Sequence, residues 1–270
     1  MPSLSVVIPV FQAELTIRRL YEQLVPELES ITNQFEIILV EDFSRDNSWP
    51  IIRDLAACDG RVRGIRLRRN FGQHNAILCG IIVSRYDIIV TMDDDLQHPI
   101  EAVKLLVAKL DEGYDVVYGA PDKEQHDTLR NIASRLTKIM LSSVMGEESA
   151  LKMSAFRAFR AELKRDFQHY RGIHVSIDVL LTWTTQRFTA IDIPHRPRNT
   201  GRSGYTFRKL ARHALNTITG MSVLPLRIAT IVGFGFTLFG LVVLGYVLFK
   251  YLVDGAVVPG FSFLACVIVI

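Results

Sequence analysis

Between Ile193 and Val253 the chain carries no aspartate or glutamate. The same stretch holds Arg196, Arg198, Arg202, Arg208, Lys209, Arg212, Arg227 and Lys250. A basic segment beside an apolar one points to an anionic membrane surface and away from nucleic acid. Cysteine is scarce as well. Cys58, Cys79 and Cys266 are scattered and odd in number. That excludes a zinc-ligand spacing and a disulfide framework, and it implies a reducing compartment. The opening "MPSLSVVIPV" has no basic run before its apolar one, so no cleaved secretory signal is expected. Internal repeats and low-complexity tracts are missing too.

What is present is grease. Hydrophobic residues make up 49 % of 270 positions, and the mean hydropathy is +0.22. Such values imply a membrane part added to a soluble one. Residues 228–249, "IATIVGFGFTLFGLVVLGYVLF", carry no charge. At ~1.5 Å per residue this run reaches roughly 33 Å, enough to cross a ~30 Å hydrocarbon layer. The Lys and Arg cluster precedes it, so the N-terminal part is expected on the cytoplasmic face of the inner membrane. Just upstream, residues 206–222 place Phe207, Leu210, Ala211, Ala214, Leu215, Ile218 and Met221 on one helical face. Arg208, Lys209, Arg212 and His213 fall on the other, as in a helix lying in the headgroup layer. A second apolar run, 256–270, reads as a second span cut short, so a multi-pass protein is expected. Gly233, Gly235, Gly240 and Gly245 would let another helix approach closely, as in a homo-oligomer.

Residues 1–200 read differently. Apolar runs at 4–9, 35–42, 62–67, 86–93, 115–119 and 188–193 suggest strands, and helical spacing fills the gaps between most of them. The runs do not alternate with polar residues, so both sheet faces are buried. That implies an α/β unit with a mostly parallel sheet and helices on both sides. Ligands bind beyond the carboxyl ends of such strands. Two acidic clusters fall there, Glu41–Asp42 and Asp93–Asp94–Asp95. Asp95 could cap the helix expected from Pro99, but one aspartate would suffice for that. Clustered hard oxygen donors suit Mg²⁺ or Mn²⁺, ions that usually bridge to substrate phosphates.

"DDDLQHP", preceded by "VEDFSRDNS" and "RRNFGQHNAILCG" and followed by "LDEGYDVVYG", resembles the family 2 glycosyltransferases of the GT-A fold, which is Rossmann-like. More narrowly it is similar to the polyprenyl-phosphate glycosyltransferases. These include dolichol-phosphate mannose synthases and bacterial aminoarabinose and glucose transferases acting on undecaprenyl phosphate. The resemblance extends through "RNTGRSGYTFRKL" and "LPLRIAT". It implies a cytoplasmic catalytic domain over 1–200, a juxtamembrane segment over 201–227, a span over 228–250 and the start of another over 256–270. It further implies an inverting transfer from a nucleotide-diphosphate sugar, UDP favoured over GDP, to polyprenyl phosphate with Mg²⁺ or Mn²⁺.

Roles follow by position. Asp93 and Asp95 match the D-x-D metal motif, and Gln97 matches a glutamine near the diphosphate. Pro9, Phe11, Glu14, Asp42 and Asp94 fall in the donor-nucleotide segments. Arg130, Arg196, Arg198 and Arg202 match basic residues that meet phosphates, and Ser203 and Tyr205 lie on the acceptor side. The chain also departs from the pattern. Phe11, Gln12 and Ala13 replace the usual opening turn. An arginine after "VVYG" is missing, with Pro121 and Lys123 nearby instead. Gly204 stands for a lysine, and Ala155 for an acid often proposed as base. A phosphate acceptor hardly needs that base, because its second pKa is about 6. A polysaccharide hydroxyl would need one, and the sequence offers no clear carboxylate for it. The alternatives are therefore a polysaccharide transferase or a degenerate membrane scaffold.

Overall fold

The computed structural model describes residues 2–121, 152–170, 172, 175–194, 224–254 and 260. It contains two compact units, Met1–Thr217 and Ile218–Ile270.

The first unit is built on a seven-stranded sheet. β1 (Leu4–Val10), β2 (Phe35–Glu41), β3 (Val62–Arg66) and β4 (Ile88–Thr91) come first. They alternate with α1 (Ile17–Ile31), α2 (Ser48–Cys58), α3 (Gln73–Val83) and α4 (Ala102–Asp111). Next come β5 (Val116–Pro121), β6 (Arg157–Arg160), the short helices α5 (Lys164–Phe167) and α6 (Ile177–Thr182), and β7 (Phe188–Ile193). The strand order is β3-β2-β1-β4-β6-β5-β7. All neighbours are parallel except β6, which runs antiparallel to both β4 and β5. The sheet is thus mostly parallel, as the apolar runs suggest, with β6 as its one reversed strand. The reversal arises where β6 inserts between strands adjacent in sequence.

β1 and β2 are buried along their whole length, which accounts for their mainly apolar character; Ser5, Glu36 and Glu41 are the buried polar exceptions. One face packs Leu20, Leu24 and Leu28 of α1 and Val103, Leu106 and Leu110 of α4 onto Val6, Ile8, Ile37 and Val90. Each such side chain contributes about 1.5–3 kcal/mol through burial. On the other face α3 lies so close that a Cβ on Gly80 would sit 2.3 Å from Val7 Cγ1. That approach brings the first turn of α3 to the carboxyl ends of the strands.

One helix start differs from the expected one. α4 begins at Ala102 with Glu101 as N-cap, so Asp95 does not cap it. α2 has Asn47 as N-cap, with Asp46 Oδ1 accepting from Ser48 N at 3.2 Å.

In the second unit one helix runs Leu224–Asp254. Within it Ala229–Val247 has a mean hydropathy of 2.0, long and apolar enough to cross a membrane. Phe234, Phe236, Phe239 and Leu252 are all exposed, as suits a lipid-facing helix better than a core one. The expected amphipathic helix at 206–222 and second span at 256–270 lie outside the described residues.

Candidate active site

Beyond the carboxyl ends of β1, β2 and β4 the chain turns sharply. Gln12 (φ 54°), Phe43 (φ 58°) and Leu96 (φ 60°) all adopt left-handed backbone, unusual for side-chain-bearing residues. Each costs about 1–2 kcal/mol and persists only where its surroundings hold it, commonly at functional sites. The restraints here are local polar side chains. Ser44 Oγ accepts from Gln12 N at 2.9 Å, and Glu41 Oε1 accepts from Ser44 N. Asp95 Oδ1 accepts from Gln97 N at 3.1 Å. The β1 turn is fastened further where Ser48 Oγ accepts from Ala13 N at 3.0 Å. Glu14 Oε2 accepts from Asn47 N and Nδ2 at 2.9 and 3.1 Å, so it ties the first two turns together.

Three consecutive aspartates are tolerated because they part company. Asp94 turns back toward the β1 turn, where its Oδ2 accepts from Phe11 N at 3.2 Å. Burial pushes its carboxyl up to about 7; the Phe11 N–H opposes this, and the charges of Asp93 and Asp95 add to it. Asp93 Oδ1 accepts from Gln73 Nε2 at 2.6 Å, and its Oδ2 lies 4.0 Å from His98 Nε2. His98 is itself stacked on Phe156, with centroids 5.1 Å apart. Asp95 closes the turn before Gln97.

The acids after β2 are more deeply engaged. Glu41 is fully buried, and its Oε2 accepts from Arg66 Nε at 3.0 Å. Asp42 is 3 % exposed, and its two oxygens accept from Phe71 N at 2.7 Å and Gly72 N at 2.8 Å. Asp42 thus has partners within the chain, in addition to any nucleoside contact the resemblance implies.

Pro9 is buried in β1, whereas Phe11, Phe43 and Phe71 each expose more than two-fifths of their surface beside these turns. Arg69 lies over the Phe71 ring at 4.5 Å. Sequence reading missed Phe43, Phe71, Gln73 and His98. All four lie within the family-like segments, but nothing in the spacing of Gln73 or His98 marks a contact with Asp93.

β6 borders the site. Thr91 Oγ1 donates to the Ala155 carbonyl at 2.7 Å, which sets Ala155 beside the end of β4. Two residues on, Arg157 is 2 % exposed and paired with Asp178 of α6. Tyr118 Oη also donates to Asp178 Oδ1, at 3.0 Å. This carboxylate, unmarked by any sequence signal, is therefore already compensated by a cation and a phenol. Arg130, Arg196, Arg198, Arg202, Ser203 and Tyr205 lie outside the described residues.

A divalent cation fits the donors present. No three of His, Cys, Asp and Glu converge among the described residues, so a closed protein cage is not formed there. Asp93 and Asp95 instead offer the one or two carboxylates typical of Mg²⁺ sites completed by substrate phosphates.

Comparison with known proteins bears on the family and the fold. The model of glycosyl transferase family 2 matches residues 5–177. The chain is 35 % identical over 253 residues to the undecaprenyl-phosphate 4-deoxy-4-formamido-L-arabinose transferase of Shewanella sediminis, covering 93 % of this chain and 76 % of that protein. It is 33 % identical over 230 residues to the Proteus mirabilis protein of the same name, covering 85 % and 71 %. Among solved structures, glucosyl-3-phosphoglycerate synthase of Mycobacterium tuberculosis with Mn²⁺, UDP and phosphoglyceric acid has a TM-score of 0.60 at 19 % identity, covering 80 % of this chain and 76 % of that one. Mannosyl-3-phosphoglycerate synthase of Rubrobacter xylanophilus has a TM-score of 0.56 at 15 % identity, covering 85 % and 74 %. These two likenesses bear on the GT-A-like fold alone.

Proposed function

The chain belongs to glycosyl transferase family 2 and is an enzyme of that family; from this premise we propose that it transfers a sugar from a nucleotide diphosphate to a polyprenyl phosphate, undecaprenyl phosphate first among them. The donor is read as a UDP-sugar, and the sugar in the relatives' names, 4-deoxy-4-formamido-L-arabinose, heads the candidates. The catalytic unit is placed at the cytoplasmic face of the inner membrane, anchored by the apolar C-terminal helix.

The roles follow from the chemistry. The turn at Phe11–Glu14 and the exposed Phe43 and Phe71 offer a surface for the nucleoside. Asp93 and Asp95 would hold Mg²⁺ or Mn²⁺, whose charge stabilises the departing diphosphate. Gln97, on the same turn, would meet the diphosphate. Arg130, Arg196, Arg198 and Arg202 would bring the acceptor phosphate past the donor's negative charge, with Ser203 and Tyr205 beside it. A phosphate oxygen of the lipid forms the new bond to the anomeric carbon. The bond from that carbon to the nucleoside diphosphate breaks, and its electron pair leaves with the diphosphate. No proton has to be removed from a dianionic acceptor, and configuration at the anomeric carbon inverts.

The observation that carries this reading is the pairing of two carboxylates beyond β4 with the absence of an acid at Ala155. A hydroxyl acceptor needs a base, and Asp178, which pairs with β6 through Arg157, is committed to Arg157 and Tyr118. The test is a panel of labelled nucleotide sugars offered with undecaprenyl phosphate and Mn²⁺ to the full chain in detergent. Label should move into the organic phase. Label appearing only in water-soluble polysaccharide would overturn the lipid acceptor.

A further inference from the structure

Asp42 and Gln73 stand on different elements from the aspartate run, yet two sets of hydrogen bonds, joined by the Gly72–Gln73 peptide link, connect them to Asp93. We propose that both are positioning residues that hold the Asp93 carboxylate ready for a divalent cation. Asp42 does so by fixing residues 70–73, and Gln73 by the hydrogen bond it donates. This rests on the transferase reading above and assigns Asp42 a task other than contact with the nucleoside.

The connection begins at the end of β2. Asp42 is almost fully buried, and its carboxylate grips two successive N–H groups, those of Phe71 and Gly72, at 2.7 and 2.8 Å. Hydrogen bonds to an ionised acceptor are about twice as strong as neutral ones. The grip is reinforced on either side. Asn70 Nδ2 donates to the Asp42 carbonyl at 3.2 Å, and Asn75 Nδ2 donates to the Phe71 carbonyl at 2.8 Å. Gly72 has φ 90°, a conformation that a side chain would strain, and it turns the chain directly into α3. The clamp therefore decides where α3 begins. Gln73 is its first residue, and its amide reaches Asp93 Oδ1 at 2.6 Å.

The choice of an amide matters. A lysine or arginine at this position would neutralise Asp93 and compete with a metal ion for it. A neutral N–H donor fixes the carboxylate's rotamer and leaves its charge in place. On the other side His98 is held by its stacking on Phe156 and faces Oδ2. Outer groups that orient a metal-binding carboxylate typically change metal affinity 10–100-fold when removed.

Mn²⁺ binding to the full chain in detergent, followed by electron paramagnetic resonance with and without saturating UDP, tests the proposal. Gln73→Met keeps the side chain's length and removes the donor. It should raise the Mn²⁺ dissociation constant about tenfold while the melting temperature stays within error, because Gln73 lies on the surface of its turn. Asp42→Asn should weaken Mn²⁺ binding by a similar factor even without UDP. The double variant should be no weaker than the weaker single one, because both act through one contact. Three results would overturn the proposal. One is Gln73→Met binding Mn²⁺ like the parent. The second is Asp42→Asn losing UDP affinity alone. The third is multiplicative effects in the double variant. If Asp42→Asn does not fold, Gln73→Met still decides. A parent protein that binds no Mn²⁺ even with UDP would instead remove the metal-dependent reading, and this inference with it.

Discussion

The two ends of the sheet handle acidic residues in opposite ways. At the amino end each buried acid meets a cation or several donors of the chain itself. Glu36 accepts from Ser5 Oγ at 2.8 Å, Arg85 N at 2.7 Å and Arg63 Nη1 at 2.9 Å. Asp115 is paired with Arg187 at 2.9 Å, and Asp59 with Arg61 at 2.9 Å. At the carboxyl end Glu41 is likewise paired with Arg66. The hydrogen bonds described for Asp93, Asp94 and Asp95, however, come from the neutral Gln73 amide and the backbone of Phe11 and Gln97. Charge neutralised within the chain serves stability. His98 Nε2 lies 4.0 Å from Asp93 Oδ2 as well, and the aspartate run is read as the place where a cation from solution adds its charge.

Substitutions at the two ends should therefore separate activity from stability. The largest effect is expected from Asp95→Ala. Initial rates should fall on the order of 10³-fold, by analogy with losing a principal electrostatic stabiliser, while the melting temperature changes little, because relief of repulsion offsets the lost Gln97 N hydrogen bond. Glu36→Ala at the amino end should do the reverse. It removes the Arg63 carboxylate partner, leaving that side chain only the Val83 carbonyl, and takes the acceptor from Ser5 Oγ and Arg85 N; it should cost about 3 kcal/mol in denaturant unfolding, with the rate per folded molecule unchanged.

The ends should also titrate in opposite directions. Asp94 has its folded pKa raised to about 7, so its contribution to stability is full below the unfolded value and is lost as pH rises through about 7. With chelator present, melting temperature should decline over that interval in the parent and not in Asp94→Asn. Asp59 is held down at about 2, first by the Arg61 side-chain hydrogen bonds. Its contribution is present above the unfolded value and is lost as pH falls from about 4 through about 2. Asp59→Asn should remove that acid-side slope, worth about 1 kcal/mol at this partly exposed pair. The smallest effect belongs to Ala155→Asp, which restores the acid of the family pattern. A phosphate acceptor predicts little change in rate, and a large gain would point to a hydroxyl acceptor.

Much of the fold was legible because it rests on continuous apolar runs. β1, β2, β3, β5 and β7 fall where such runs predict, and the aspartates after β4 stand at a strand end as expected. What was hidden depends on contacts distant in sequence. β6 is four residues long, and it buries Arg157 against Asp178. Its composition therefore reads as surface, and its reversed direction has no local signature. The left-handed turns at Gln12, Phe43 and Leu96 lack the glycine that normally betrays them; polar side chains of the same or a neighbouring turn hold them instead. Gln73 reads as an ordinary helix-opening residue, and only the Asp42 clamp explains its aim. The amphipathic helix and the arginines expected to receive the acceptor fall outside the described residues, so they stay expectations.

The measurement closest to the core of the account is titration calorimetry of UDP into the full chain, with Mn²⁺ and then with EDTA. The account predicts binding at least tenfold tighter with the cation, a gain abolished in the Asp93→Asn/Asp95→Asn double variant. Equal UDP affinity in Mn²⁺ and in EDTA would contradict it.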